Sequence, residues 1–222
     1  MCGRYILVEE PQELEARFSA SMDAVPYRPN YNAAPTEVMP VVSSSDPEKI
    51  VAMKWGIRPP WFRGTRGRSD GIINVRAENL WDKPTFRRAL AERRCLVPAD
   101  GFHEWQKTSG GKKIPFRFFR KDEDIFAFAG IWEADTASDG SLVRTFAILT
   151  TEPNELVAPV HNRMPVILPL AAERQWLDPG ERPNVLLDLL RPYPAAEMLS
   201  HRVSLAVNKA SNNGPELIKR IS

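Results

Sequence analysis

Cysteine is nearly absent: Cys2 and Cys95 are the only two in 222 residues. Two thiols build neither a disulfide framework nor a zinc cluster, although a single bridge between them stays open. Histidine is also scarce, at three. No apolar run approaches the roughly 20 residues of a membrane helix, so no membrane partner is expected. There is no glycine-rich phosphate loop, heptad, internal repeat or low-complexity segment. No basic, apolar leader opens the chain. We therefore expect a reducing, cytoplasmic setting, beside the nucleoid if the source is bacterial. The formal net charge is only +2, which excludes a polycation.

Charge is nonetheless uneven. Residues 58–94 hold nine Arg and one Lys against four acids. Arginine suits bidentate phosphate contacts, so this stretch reads either as a solvated basic surface or as a nucleic-acid face. Within it lies Trp55-Gly56-Ile57-Arg58-Pro59-Pro60-Trp61-Phe62-Arg63. The paired prolines make it a stiff loop. Arg58, Trp61, Phe62 and Arg63 interleave charge with flat rings, as a single-strand stacking platform requires. Trp61 could equally plug a core edge.

The 20 prolines argue against long helices. A strand is expected over residues 3–8, then a helix from Glu10-Pro11 with Leu14, Phe18 and Met22 on one face. Residues 30–35 read as an irregular polar segment in which Asn30 and Asn32 bond local backbone. Residues 38–42 read as a strand broken by Pro40, and 50–55 as another. Residues 72–78 form an apolar strand whose Asn74 needs a hydrogen-bond partner. A helix over 84–94 turns Arg87, Arg88, Arg93 and Arg94 outward. From Cys95 onward the pattern is β, with strands at 95–98, 102–105, 114–119, 125–131, 143–150 and 166–168 and a hairpin turn at Ser109-Gly110-Gly111. Short helices follow at 170–177 and 185–190, and a last strand at 199–207. The expected fold is α+β: one domain over residues 1–222, a mixed, mostly antiparallel sheet core and short peripheral helices.

Two positions carry chemical promise. Cys2 stands directly behind Met1, and trimming of Met1 would expose a 1,2-aminothiol. Its amine and thiol have reference pKa values of about 7.7–8.0 and about 8.5. Such a pair condenses with an aldehyde to an imine and closes a thiazolidine. It can also act as a thiol nucleophile with its own amine as base. Alternatively, Cys2 is simply a small buried residue on a first strand. Glu104 alternates with Phe102 on one strand face, where a carboxylate is costly unless paired or functional. His161 sits in a polar turn between apolar stretches.

Four segments together, Met1-Cys2-Gly3-Arg4-Tyr5, Asn74-Val75-Arg76-Ala77-Glu78, Gly101-Phe102-His103-Glu104-Trp105 and His161-Asn162-Arg163-Met164-Pro165, closely resemble the SRAP (SOS response-associated peptidase, YedK-like) family. Tyr31-Asn32-Ala33-Ala34-Pro35 and the stretch from Val203 to Lys209 extend the resemblance over nearly the whole chain. A bacterial member has Trp where this chain has Phe62, and Asp where it has Asn162. The resemblance implies covalent capture of abasic sites in single-stranded DNA by Cys2 once Met1 is removed, as a thiazolidine, with autopeptidase and AP-lyase side activities. It implies that Asn74 holds the sugar remnant and the Cys2 backbone, that Glu104 is the acid-base residue beside the amine, and that His161 helps open the sugar. Arg4 and Arg76 resemble phosphate-contacting residues, and Asn32 and Arg163 lie in matching segments taken as DNA-binding. Such chemistry needs no cofactor and no metal. Partners are then abasic single-stranded DNA and replication-fork or single-strand/double-strand junction DNA, met by a monomer. Two rivals stand beside this reading: an N-terminal-nucleophile thiol peptidase, and a non-catalytic single-stranded DNA-binding module.

Overall fold

A computed structural model describes residues 2–23, 25–58, 71–136 and 140–221. Among them, thirteen strands and four short α-helices form an α+β domain. Strands β1 (Tyr5–Leu7), β2 (Asn30–Ala33), β7 (Gly101–Lys107), β8 (Lys113–Arg120) and β13 (Met198–Arg202) make a five-stranded antiparallel sheet in the order β13-β8-β7-β1-β2. The second sheet contains β3 (Val38–Ser43), β4 (Asp46–Trp55), β5 (Asn74–Arg76), β6 (Arg94–Ala99), β9 (Phe126–Thr136), β10 (Leu142–Thr151), β11 (Met164–Pro165) and β12 (Ile167–Leu168). Its path β10-β4-β3-β6-β9 returns to β10 through an antiparallel β9–β10 ladder, so these five strands close a ring. Among the named strands, only the pairings of β10 with β4 and with β5 are parallel. The helices are α1 (Pro11–Phe18), α2 (Pro84–Glu92), α3 (Leu170–Leu177) and α4 (Pro183–Asp188). No helix among the described residues is long and apolar enough to cross a membrane.

An aromatic cluster joins the two sheets. Tyr5 of β1 meets Trp55 of β4 edge-on at 5.2 Å and Phe128 of β9 at 5.9 Å. Phe102 of β7 stacks on Phe118 of β8 at 5.1 Å and reaches Phe128 at 6.2 Å. Each such pair contributes about 0.5–1.5 kcal/mol beyond burial. The cluster therefore fixes the first strand, and the amino terminus with it, against the closed ring.

Several sequence expectations need correction. Residues 30–33 form β2, a strand paired with β1. The Asn32 amide bonds not local backbone but the carbonyls of Val207, Lys209 and Asn212, at 3.2, 3.1 and 3.1 Å. Pro40 does not break β3, which pairs with β4 straight through it. The β6 ladder begins only at Val42, so at Pro40 the strand has a ladder on one side and its missing N–H is tolerated. Helix α1 stops before Met22, because Ser19 turns left-handed (φ 52°) and Ser21 then exchanges backbone bonds with Glu48 and Ile50 of β4. The strand expected over 199–207 ends at Arg202; Ser204 then caps a single helical turn over Leu205–Asn208. Helix α2 ends at Glu92, and Arg94 begins β6 instead of facing outward. It is buried and donates to the carbonyls of Leu90, Ala91, Trp176 and Asp178 at 2.5–2.7 Å. Arg93 pairs with Glu133 at 2.8 Å. The basic face is correspondingly smaller than the run of arginines implied. Cys2 and Cys95 are free, buried thiols.

At Gly130 the ring leaves no room for a side chain. It pairs with Cys95 on one side and Ile148 on the other. An added Cβ would stand 2.8 Å from the Cys95 sulfur and 3.1 Å from the Ala147 carbonyl oxygen. Gly130→Ala should therefore destabilise the fold by about 1–3 kcal/mol through overpacking. In urea melts, part of the loss should return in a Cys95→Ala background. A neutral Gly130→Ala would contradict this packing.

Candidate active site

The site is assembled from four distant segments, each held by its own device. Cys2 precedes β1 and is wholly buried. Its thiol donates to the Arg4 carbonyl at 3.5 Å, and its own carbonyl accepts from Asn74 Nδ2 at 2.7 Å. Asn74 opens β5, where Ile148 of β10 is its ladder partner. Its Oδ1 is buried and has no hydrogen-bond partner among the described residues. An unsatisfied buried acceptor costs about 1–3 kcal/mol, so this one is a marked feature. Glu104 lies mid-strand in β7, opposite Phe116, on the same face as Phe102. His103 and Trp105 take the other face; Trp105 Nε1 donates to Asn208 Oδ1 at 2.7 Å.

His161 comes from the loop between β10 and β11, and three ties hold that loop. Gln106 of β7 donates to the Pro159 carbonyl at 3.1 Å. The Asn154 side chain accepts from the backbone amides of Leu156 and Val157. Arg163 makes a two-pronged ion pair with Glu78 at 2.7 and 2.8 Å and donates to the Thr150 carbonyl at 2.6 Å. The His161 Nδ1 stands 3.1 Å from both the amide nitrogen and the carbonyl oxygen of Arg163, so backbone orients the ring in either tautomer. The same nitrogen lies 3.9 Å from Glu104 Oε1.

A cleft of about 460 Å³ opens on this assembly, lined by Gly3, Arg4, Glu104, Trp105, Lys107, Lys113, His161 and Asn208. Burial pushes the Glu104 carboxyl up to about 7. Burial, then the nearby Glu104 charge, pushes the Cys2 thiol far above its usual range. Burial lowers the His161 imidazole, favouring its neutral form. At neutral pH the site thus holds a thiol, a carboxyl poised between acid and base, and a neutral imidazole. That combination suits proton transfer at the oxygen, nitrogen and sulfur atoms around a reacting carbonyl group.

Other sequence candidates have different places. Arg4 lines the cleft but is braced by Asn32 Oδ1 at 2.8 Å and by the Val207 carbonyl at 3.0 Å. Asn32 is buried beneath it and braces instead of facing a ligand. The guanidinium of Arg163 is likewise committed to Glu78 and Thr150, and it positions the His161 loop. Arg58 and Arg76 are exposed, and Arg76 follows Asn74 on β5. Trp61, Phe62 and Arg63 lie outside the described residues. Lys107 and Lys113 went unrecognised in the sequence. They face each other across the β7–β8 hairpin at the cleft rim, a like-charge pairing that is unfavourable without an anion between them. The signal was available, since a hairpin centred on Ser109-Gly110-Gly111 sets 107 opposite 113.

Comparison with known proteins gives the family. A sequence model of the SOS response associated peptidase (SRAP) family matches residues 1–210. The abasic site processing protein YoqW of Bacillus subtilis is 39% identical over 223 residues, covering 99% of both chains. The chicken abasic site processing protein HMCES is 31% identical, over 86% of this chain and 66% of its own. A crystal structure of a Bacteroides thetaiotaomicron protein superimposes with a TM-score of 0.88 at 28% identity, covering 100% of each chain. The protein belongs to the SRAP family.

The raised Glu104 carboxyl has a consequence for stability. Its folded pKa, about 7, lies above the 4.5 of an unperturbed carboxyl, so between these values the folded state binds more protons than the unfolded one. Its contribution is fully present below about pH 4.5 and is lost as pH rises through 7. Asp100, raised by burial to about 6, adds its own slope, so the comparison must be differential. Relative to wild type, Glu104→Gln should flatten the fall in unfolding free energy across that window. Parallel pH–stability curves would place the Glu104 carboxyl in water.

Proposed function

We propose that this chain captures abasic sites in single-stranded DNA covalently, through the amine and thiol of Cys2 after removal of Met1. The observation that carries the reading is that Cys2, pinned by Asn74, lies within reach of the Glu104 charge, while Glu104 and His161 line one cationic cleft beside Gly3. The similarity to YoqW and HMCES, both abasic site processing proteins, supports it.

The chemistry follows from the protonation states. An abasic sugar exposes its aldehyde only when the ring opens, and His161 moves the proton between ring oxygen and O1′. The Cys2 amine attacks C1′ to give a carbinolamine. Glu104 in its acid form protonates the departing hydroxyl, water leaves, and a C=N bond forms. Glu104 is now a carboxylate beside a thiol that burial keeps protonated. It takes the thiol proton, Sγ adds to C1′, and the C=N electron pair returns to nitrogen. Aldehyde and aminothiol thus become thiazolidine and water. Asn74 fixes the Cys2 backbone, and its unfilled Oδ1 is an acceptor for a hydroxyl of the opened sugar. Arg76, Lys107 and Lys113 attract the phosphates without reading bases. Thiol and imidazole are both shifted toward their neutral forms, which disfavours a thiolate–imidazolium pair of the kind many cysteine peptidases use.

Single-turnover crosslinking to abasic single-stranded DNA tests these roles. Cys2→Ser should still form an imine that borohydride traps, but little heat-stable adduct, and its persistent imine should favour strand cleavage. Glu104→Gln should slow adduct formation by about 100-fold, the lower end of acid-base assistance. Heat-stable adduct from Cys2→Ser at the wild-type rate would sink the thiazolidine step. Separately, Arg76→Ala should lower affinity and reduce the salt slope by about one; an unchanged slope would move the phosphate track elsewhere.

A further inference from the structure

A second pocket is lined by residues adjoining the catalytic segments. It has a volume of about 260 Å³ and is lined by Ala77, Glu78, Trp81, Thr151, Leu187 and Leu190. Three of these are tied to the site. Ala77 directly follows Arg76 in the chain, Glu78 holds the arginine that anchors the His161 loop, and Thr151 extends β10 one residue beyond the Arg76 partner Thr150. The pocket is too small for a drug-sized ligand but admits one flat heterocycle.

Its wall is unusual for a surface. Trp81 is 45% exposed, whereas Trp55, Trp132 and Trp176 are buried and Trp105 is half-buried. The Arg87 guanidinium lies over its ring at 5.0 Å, and Arg87 Nε donates to the Trp81 carbonyl at 2.8 Å. A tryptophan backed by a cation and held from behind is pre-ordered for stacking. Arg76, Lys83 and Arg87 are exposed around it; of the acids beside the lining residues, Glu78 is paired with Arg163 and Asp188 with Arg191, which leaves Asp82 and Glu152 against those three cations.

We propose that Trp81, backed by Arg87, stacks an unpaired nucleobase of the strand whose abasic residue enters the cleft, with the pocket receiving that base. The inference rests on the single-stranded DNA reading above. Leu187 and Leu190 supply an apolar wall facing the base, and the Thr151 hydroxyl is a polar partner for its edge. Arg76, between this pocket and Asn74, holds the intervening phosphate. The platform thus sets how the strand runs past the abasic residue and tolerates any base, since each has a π-face.

Anisotropy titrations with two single-stranded oligonucleotides test this without crosslinking. Both carry a tetrahydrofuran residue, an abasic analogue that cannot open to an aldehyde. In the first, the flanking nucleotides keep their bases; in the second, they are tetrahydrofuran residues too. Trp81→Ala should weaken binding of the first about tenfold and of the second less than twofold. Trp81→Phe, which keeps a stacking ring, should stay within about threefold of wild type on the first. Equal losses on both oligonucleotides, or no loss on the first, would overturn the platform. Wild-type crosslinking to a natural abasic oligonucleotide is followed in parallel. Its failure, with the Trp81 difference intact, would remove covalent capture and leave the stacking platform standing.

Discussion

The hydrogen bond from Asn74 Nδ2 to the Cys2 carbonyl, 2.7 Å long, spans the two sheets. Cys2 leads into β1 of the five-stranded sheet, and Asn74 opens β5 against β10 of the other. Chain termini fray unless tied down. Here the tie is a buried amide, reinforced by the packing of Tyr5 against Trp55 and Phe128. A residue that reacts through its own backbone amine needs such a tie more than one that reacts through a side chain. The amine has no rotamer to select; its position is the position of the main chain. Everything else in the site is arranged around that fixed point.

Burial does the remaining chemical tuning. The Cys2 thiol stays protonated, which protects it from adventitious oxidation but leaves it weakly nucleophilic until a base is beside it. Glu104, raised to about 7, can serve as acid and then as base near neutrality. Because it is often uncharged there, it does not cancel the positive field of Arg4, Lys107 and Lys113 around the cleft. In the proposed capture, one desolvated carboxyl thereby reconciles proton transfer with attraction of an anionic strand.

How much of this was legible in the sequence varied with the kind of information needed. The strands at 114–119, 125–131 and 143–150 stood out because aromatic and β-branched residues recur there, and the structure extends each by only a few residues. Ring closure through β9 and β10, and the parallel insertion of β5, were not legible; they depend on pairings that local pattern does not encode. β2 was missed because its polar residues look like a loop, and their partners are tail carbonyls about 180 residues away. Cys2, Asn74, Glu104 and His161 could be grouped from the sequence only through the family resemblance, since they lie in four segments far apart in the chain. Arg94 and Arg163 were misread for one common reason. Sequence displays a charge but not its partner, and both guanidinium groups turn inward onto carbonyls or a carboxylate. Trp81 passed unnoticed, since nothing in its neighbours distinguishes an exposed tryptophan from a buried one.

The central claim is that amine and thiol of the same residue end on one carbon of the DNA. Mass analysis of the wild-type adduct, formed on natural abasic single-stranded DNA without borohydride, addresses it directly. The account predicts a mass equal to the chain lacking Met1 plus the DNA minus one water, with the modified peptide mapping to Cys2 and no thiol there left to alkylate. An adduct that retains Met1, or one on a lysine with the Cys2 thiol still alkylatable, would contradict it.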